Sequence, residues 1–96
     1  MGSITILVID DERYAREELT YLLGKFPKVQ VVGEAESGEA AILKALQIHP
    51  DVVFLDVEMP KMNGIEVAKT LSGFKKVPLI IFATAYPQFA AEAFRI

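Results

Sequence analysis

Residues 50–64 read Pro50-Asp51-Val52-Val53-Phe54-Leu55-Asp56-Val57-Glu58-Met59-Pro60-Lys61-Met62-Asn63-Gly64. A short apolar run, Val52 to Leu55, stops at an acid and gives way to a loop marked by Pro, Asn and Gly. Such a run between turn signals predicts a strand buried on both faces, the habit of parallel sheets. The same design opens the chain, where Ile6-Leu7-Val8-Ile9 runs into Asp10-Asp11. Working outward, strands are predicted at Ile4–Ile9, Val29–Ala35, Val52–Leu55 and 78–83. Helical spacing occupies the gaps. Ala15, Leu19, Leu22, Leu23 and Phe26 share one face of a helix over 12–26, closed by Gly24 and Pro27. Ser37 is an N-cap for a helix carrying Ala40, Leu43, Ala45 and Leu46, broken at His49-Pro50. A short helix over 65–71 turns Ile65, Ala68 and Leu71 inward. Pro87 suits the first position of a fourth, with Phe89, Ala90, Ala93 and Phe94 in phase. The order βαβαβαβα predicts an α/β fold, a doubly wound parallel sheet with right-handed crossovers.

Composition narrows the function. The 96 residues allow one domain, and 52% hydrophobic content against 24% charged makes it globular rather than disordered. The net charge is −3 with no basic run, which argues against direct nucleic-acid binding by this segment. The chain has no cysteine, so a disulfide framework or cysteine-zinc site is excluded. The amino-terminal apolar run is cut by Asp10 and is no signal peptide, and no run approaches the roughly 20 residues of a membrane span.

Taken singly, Asp10-Asp11 read as a helix cap or a solvated pair, Asp56 as a solvated turn acid and Thr84 as a turn hydroxyl. Together they end strands on one edge of a parallel sheet, where open α/β folds bind ligands. Three gathered carboxylates repel unless a cation sits among them. A hard cation held by carboxylates, with a hydroxyl and backbone N–H groups nearby, suits magnesium-phosphate chemistry. The remaining residues attract less. His49 sits in a helix-to-strand turn. Met59 and Met62 read as packing or loop residues, Lys61, Lys75 and Lys76 as solvated, and Tyr14 and Tyr21 as core or half-exposed packing.

From Ile4 to Ile96 the sequence resembles a response-regulator receiver domain. The resemblance rests on Ile6-Leu7-Val8-Ile9-Asp10-Asp11-Glu12, on residues 50–64 with proline four and glycine eight residues after Asp56, and on Thr84-Ala85. The stretch Ala83-Thr84-Ala85-Tyr86 with Phe89-Ala90 and Ala93-Phe94 further resembles receivers that carry a LytTR-type DNA-binding domain. The resemblance implies that Asp56 is a phosphoacceptor, charged by a sensor histidine kinase or a small acyl phosphate. It implies Mg2+ held by Asp11 directly, by Asp10 largely through water, by Asp56 and by the backbone carbonyl of Glu58. Thr84 and the N–H groups of Val57 and Ala85 would hold the phosphoryl oxygens, while the side chains of Glu58 and Tyr86 tune its lifetime. Pro60 and Gly64 shape the loop. A signalling domain in the cytoplasm, rather than an enzyme with its own substrate, is implied.

The family fold has five strands in the order 2-1-3-4-5, and four βα units are present here, in the order 2-1-3-4. The fifth strand, with its switch aromatic and phosphoryl-pairing lysine, lies beyond Ile96. Residues 1–96 are therefore expected to be a receiver domain cut short from a longer regulator. The last strand present would be an exposed apolar edge, predicting a homodimer by edge pairing or exchange of an element. Two alternatives are a phosphorylation-independent interaction module and an aspartate-nucleophile phosphatase. The latter needs a second acid two residues on, which Asp56-Val57-Glu58 imitates loosely.

Overall fold

The computed structural model describes residues 3–83. Strands β1 (Ile4–Ile9), β2 (Val29–Ala35), β3 (Val52–Leu55) and β4 (Leu79–Phe82) alternate with helices α1 (Arg13–Leu23), α2 (Gly38–Ile48) and α3 (Gly64–Leu71). The strands form one parallel sheet, as the alternating pattern predicts, in the order β2-β1-β3-β4 that the family resemblance implies. The anticipated fourth helix, from Pro87 onward, lies outside the described residues.

One face of the sheet carries the main core. Leu7, Ile9, Val53 and Leu55 meet Ala41 and Ala45 of α2 and Val67, Ala68 and Leu71 of α3, with Met59 beneath the loop. Ser37 caps α2, its Oγ accepting from the Ala40 N–H at 3.1 Å. Asn63 caps α3 in a reciprocal box with Glu66, at 2.9 and 3.2 Å, so two N–H groups otherwise without partners are satisfied. Two helix faces differ from the sequence pattern. On α2 the buried residues are Gly38, Ala41 and Ala45, while Leu43 and Leu46 are exposed. Small side chains let α2 lie close to its neighbours, and the leucines are left outside. Helix α1 stops at Leu23, short of the expected 26, with Gly24 as its C-cap. No residue on it is buried, Leu22 is exposed, and so is Phe26 beyond its end. Tyr14 and Tyr21, expected to pack, are 83% and 68% exposed. The cause is that α1 lies against β1 and β2 at one side of its sheet face. At the other edge of the sheet Leu79 and Ile81 of β4 are also exposed.

Register places the ends of the central strands level. Ile9 pairs with Leu55, and Leu55 with Phe82. The next residues along, Asp10, Asp56 and Ala83, each donate a backbone N–H to the neighbouring strand: to Ala35, Ile9 and Leu55 at 3.1, 2.9 and 2.9 Å. Asp10 and Asp56 therefore leave the sheet side by side.

Candidate functional site

Because β1 and β3 end together, the loops that follow them share one rim. There a carboxylate oxygen from each of Asp10, Asp11 and Asp56 lies within 4.8 Å of the others. The three acids singled out from the sequence are thus brought together. The turn between β1 and α1 holds its shape through Asp10, whose Oδ1 accepts from the Glu12 N–H at 2.9 Å. Asp10 is not the N-cap of α1; Glu12 occupies that position, without a side-chain cap.

The electrostatics follow from the crowding. Burial is the main force raising the Asp56 carboxyl from its usual 3.8 to about 6, with the charges of Asp10 and Asp11 adding to it and the Glu58 N–H opposing. Asp10 is raised too, by burial first and then by Asp11, against the Glu12 N–H and Arg16. Among the described residues the ion pairs go to Glu17, Glu34 and Asp51, and none reaches the three rim carboxylates. Three hard oxygen donors with unmet negative charge fit a small divalent cation such as Mg2+.

The loop after β3 is pinned by its neighbour helix. The Gly64 N–H donates to the Val57 carbonyl at 2.8 Å. A methyl group at Gly64 would collide with the Asp56 carbonyl oxygen and stand 2.9 Å from the Val57 Cα. Glycine is therefore required here by close backbone approach, since among the described residues no glycine has positive φ. Lys61 takes the left-handed turn instead, at φ 68°. Gly38 meets a similar demand, for a Cβ there would lie 2.8 Å from Met62. Val57 is buried and Glu58 exposed, and both line an open cleft of about 350 Å³ with Met59, Pro60 and Asn63. Thr84, Ala85 and Tyr86, assigned to the site from the sequence, lie outside the described residues.

Other residues separate from the rim. His49 ends α2 in the left-handed region at φ 45°. Lys76, read as solvated, pairs with Asp51 at 3.2 Å and donates to the His49 carbonyl at 3.1 Å. Two polar residues the sequence pattern did not single out are Asp51 and Arg16. Arg16 Nη1 donates to the Asp10 carbonyl at 2.8 Å and its Nε pairs with Glu34 at 3.3 Å. No local sequence signal marks either, because both act across the fold.

Comparison with known proteins agrees with this geometry. The family model described as the response regulator receiver domain matches residues 6–95. The sensory transduction protein LytT of Bacillus cereus is 45% identical over 93 residues, covering 97% of this chain and 38% of that protein. An uncharacterized response regulatory protein of Vibrio cholerae is 44% identical over 91 residues, covering 95% and 38%. The chain thus spans about two fifths of the length of these relatives. Among solved structures, the response regulator domain of Thermotoga maritima CheB superposes with a TM-score of 0.84 at 36% identity, covering 97% of this chain and 72% of that one. The CheX–CheY–BeF3–Mg2+ complex of Borrelia burgdorferi gives 0.83 at 26%, covering 98% and 72%.

Proposed function

The chain belongs to the response regulator receiver family, as a receiver domain of a two-component system and a signalling module rather than a classical enzyme, and on that premise we propose that Asp56 accepts a phosphoryl group in a Mg2+-assisted transfer. The observation that carries this reading is the meeting of the Asp10, Asp11 and Asp56 carboxylates within 4.8 Å. The complex from Borrelia burgdorferi carries Mg2+ and beryllium trifluoride on a similar fold, which supports the same chemistry here.

Mg2+, held by Asp10, Asp11, Asp56 and the Glu58 carbonyl, would neutralise the charge that builds on the phosphoryl oxygens. The protein's own part is the nucleophile and its placing. An Asp56 carboxylate oxygen bonds to phosphorus as the bond from phosphorus to the donor breaks, and the leaving group departs with that electron pair. A donor of phosphohistidine type, from a sensor histidine kinase, releases its imidazole; an acyl phosphate releases a carboxylate. Asp56 must be ionised to attack, and a carboxyl at about 6 is mostly ionised at neutral pH. The N–H groups of Val57 and Ala85 and the Thr84 hydroxyl are assigned to the phosphoryl oxygens. Residues 1–96 act as one receiver domain. In the full-length protein its effector is a LytTR-type DNA-binding domain, in the cytoplasm. Among the described residues no helix is long and apolar enough to cross a membrane.

Intact mass after incubation with acetyl phosphate tests the chemistry. A gain of one phosphoryl group that requires Mg2+ and is lost in Asp56→Asn is expected. No gain in the wild-type chain under any Mg2+ concentration would overturn it, and would favour the phosphorylation-independent module. A second copy of the chain is the expected partner of β4, where Leu79 and Ile81, 63% and 39% exposed, make an apolar strand suited to pairing. Light scattering at rising concentration should give a dimer that Ile81→Lys dissociates, and a monomer throughout would refute the pairing.

A further inference from the structure

Resting on the assignment of Asp10, Asp11 and Asp56 to a Mg2+ site, we propose that Arg16 is a positioning residue for that site, bracing the turn between β1 and α1 so that Asp10 and Asp11 meet Asp56. Among the described residues, the Asp10 carbonyl accepts from Arg16 Nη1 alone, at 2.8 Å. The Nε of the same guanidinium is held by Glu34 Oε1 on β2, at 3.3 Å. The Arg16 side chain is 14% exposed, so the fork is embedded rather than waving in solvent. Its own N–H donates to the Glu12 carbonyl at 3.1 Å, which ties the brace to the start of α1. The guanidinium therefore joins the start of the acidic turn, at the Asp10 carbonyl, to β2 through a planar group with fixed donor directions. A support of this kind fixes the orientation of a metal ligand without touching the metal.

The sign of the effect separates bracing from simple charge. A cation beside an acidic site competes with Mg2+ through Coulomb repulsion, so its removal alone would tighten Mg2+ binding. Loss of a brace loosens binding instead.

The test is calorimetric titration of the 96-residue chain with MgCl2, at low salt and again at 1 M NaCl, where the screening length falls to about 3 Å. Arg16→Ala should weaken Mg2+ binding by about tenfold, at the low end for loss of a supporting residue. Arg16→Lys keeps the charge but cannot form both bonds in that geometry, and should lose most of the same affinity. Glu34→Gln should show a smaller loss in the same direction, and serves if the alanine variant proves unstable by circular dichroism. The loss should persist at high salt. The Glu12 amide, which reports the Asp10 Oδ1 bond, should shift in the 1H–15N spectrum of metal-free Arg16→Ala. Unchanged or tighter binding in Arg16→Ala, or full recovery in Arg16→Lys, would overturn the brace while leaving the Mg2+ site standing. A wild-type chain that binds no Mg2+, or an Asp11→Asn variant that binds it equally well, would bring down the phosphoacceptor assignment itself.

Discussion

Asp51 and Asp56 flank the same strand, β3, and their surroundings are opposite. At the amino end, Asp51 Oδ2 accepts from the Thr5 N–H and Oγ1–H at 2.9 and 3.0 Å, while Oδ1 takes Lys76 Nζ at 3.2 Å. Its own N–H returns to the Thr5 carbonyl and Oγ1, both at 3.0 Å. These bonds, the Thr5 N–H first and Lys76 next, hold the carboxyl below its usual range. At the carboxyl end, burial first, and then the like charges of Asp10 and Asp11, push Asp56 up to about 6. The first carboxylate is completed by its own protein. The second is left incomplete, and groups from outside must finish it. Residue type is the same and both flank β3, so the difference between fastener and reactive group lies in the burial and the partners at each end.

The sharpest way to break the comparison is at Asp56. Asp56→Asn should abolish Mg2+-dependent phosphoryl uptake from acetyl phosphate, read as intact mass. It should also stabilise the metal-free chain. A carboxyl whose folded value is raised to about 6 costs stability as pH rises through the interval above the usual 3.8. The gain from asparagine is therefore full above about pH 6 to 7 and vanishes below about pH 4. Its size is on the order of 1–2 kcal/mol, discounted for partial access of water to the carboxylate. Urea titrations at pH 7.5 and pH 4 measure it, and an asparagine variant less stable at pH 7.5 would contradict the origin assigned to the raised carboxyl.

A second change acts on the backbone of the reactive end. Gly64→Ala puts a methyl group against the Asp56 carbonyl and the Val57 Cα, neither of which is a flexible side chain that can swing away. The loop must shift, at a cost of about 3 kcal/mol by urea denaturation. Because the shift moves Asp56 relative to Asp10 and Asp11, Mg2+ affinity should fall as well. Loss of stability with undiminished Mg2+ affinity would mean that the loop and the acidic cluster are independent.

The two ends were unequally legible in the sequence. Asp10, Asp11 and Asp56 stand out because each follows an apolar run, and strand register alone carries them to one rim. The bounds of β1, β2 and β3 follow from the same punctuation. Gly64 was legible as a loop residue, but its reason, contact with the backbone of residues seven and eight positions earlier, needs the folded chain. Asp51 and Thr5 are 46 residues apart, and Arg16 and Glu34 18 apart, so neither pair leaves a local pattern. The inner face of α2 was obscured for another reason. Hydropathy favours Leu43 and Leu46, whereas packing against a neighbour at close range selects Gly38, Ala41 and Ala45. Thr84 and Ala85, placed at the site by their resemblance to the family pair, fall outside the described residues.

The smallest expected effect is at the completed end, and its pH dependence has the opposite sense. Asp51→Asn keeps an acceptor for Thr5 but gives up the charge that Lys76 meets. A carboxyl held below its usual 3.8 stabilises the fold above that value and loses the contribution as pH falls through its lowered one. The variant should therefore melt below wild type at pH 7, and the gap should close in acid. At Asp56 the gap also closes in acid, but there the asparagine variant starts as the more stable chain. Calorimetric Mg2+ titration of Asp51→Asn should match wild type, because the clamp sits at the far end of β3 from the rim. A drop in Mg2+ affinity approaching that of Arg16→Ala would show that the sheet transmits strain between its ends, and that the fastener helps set the geometry of the reactive carboxylate.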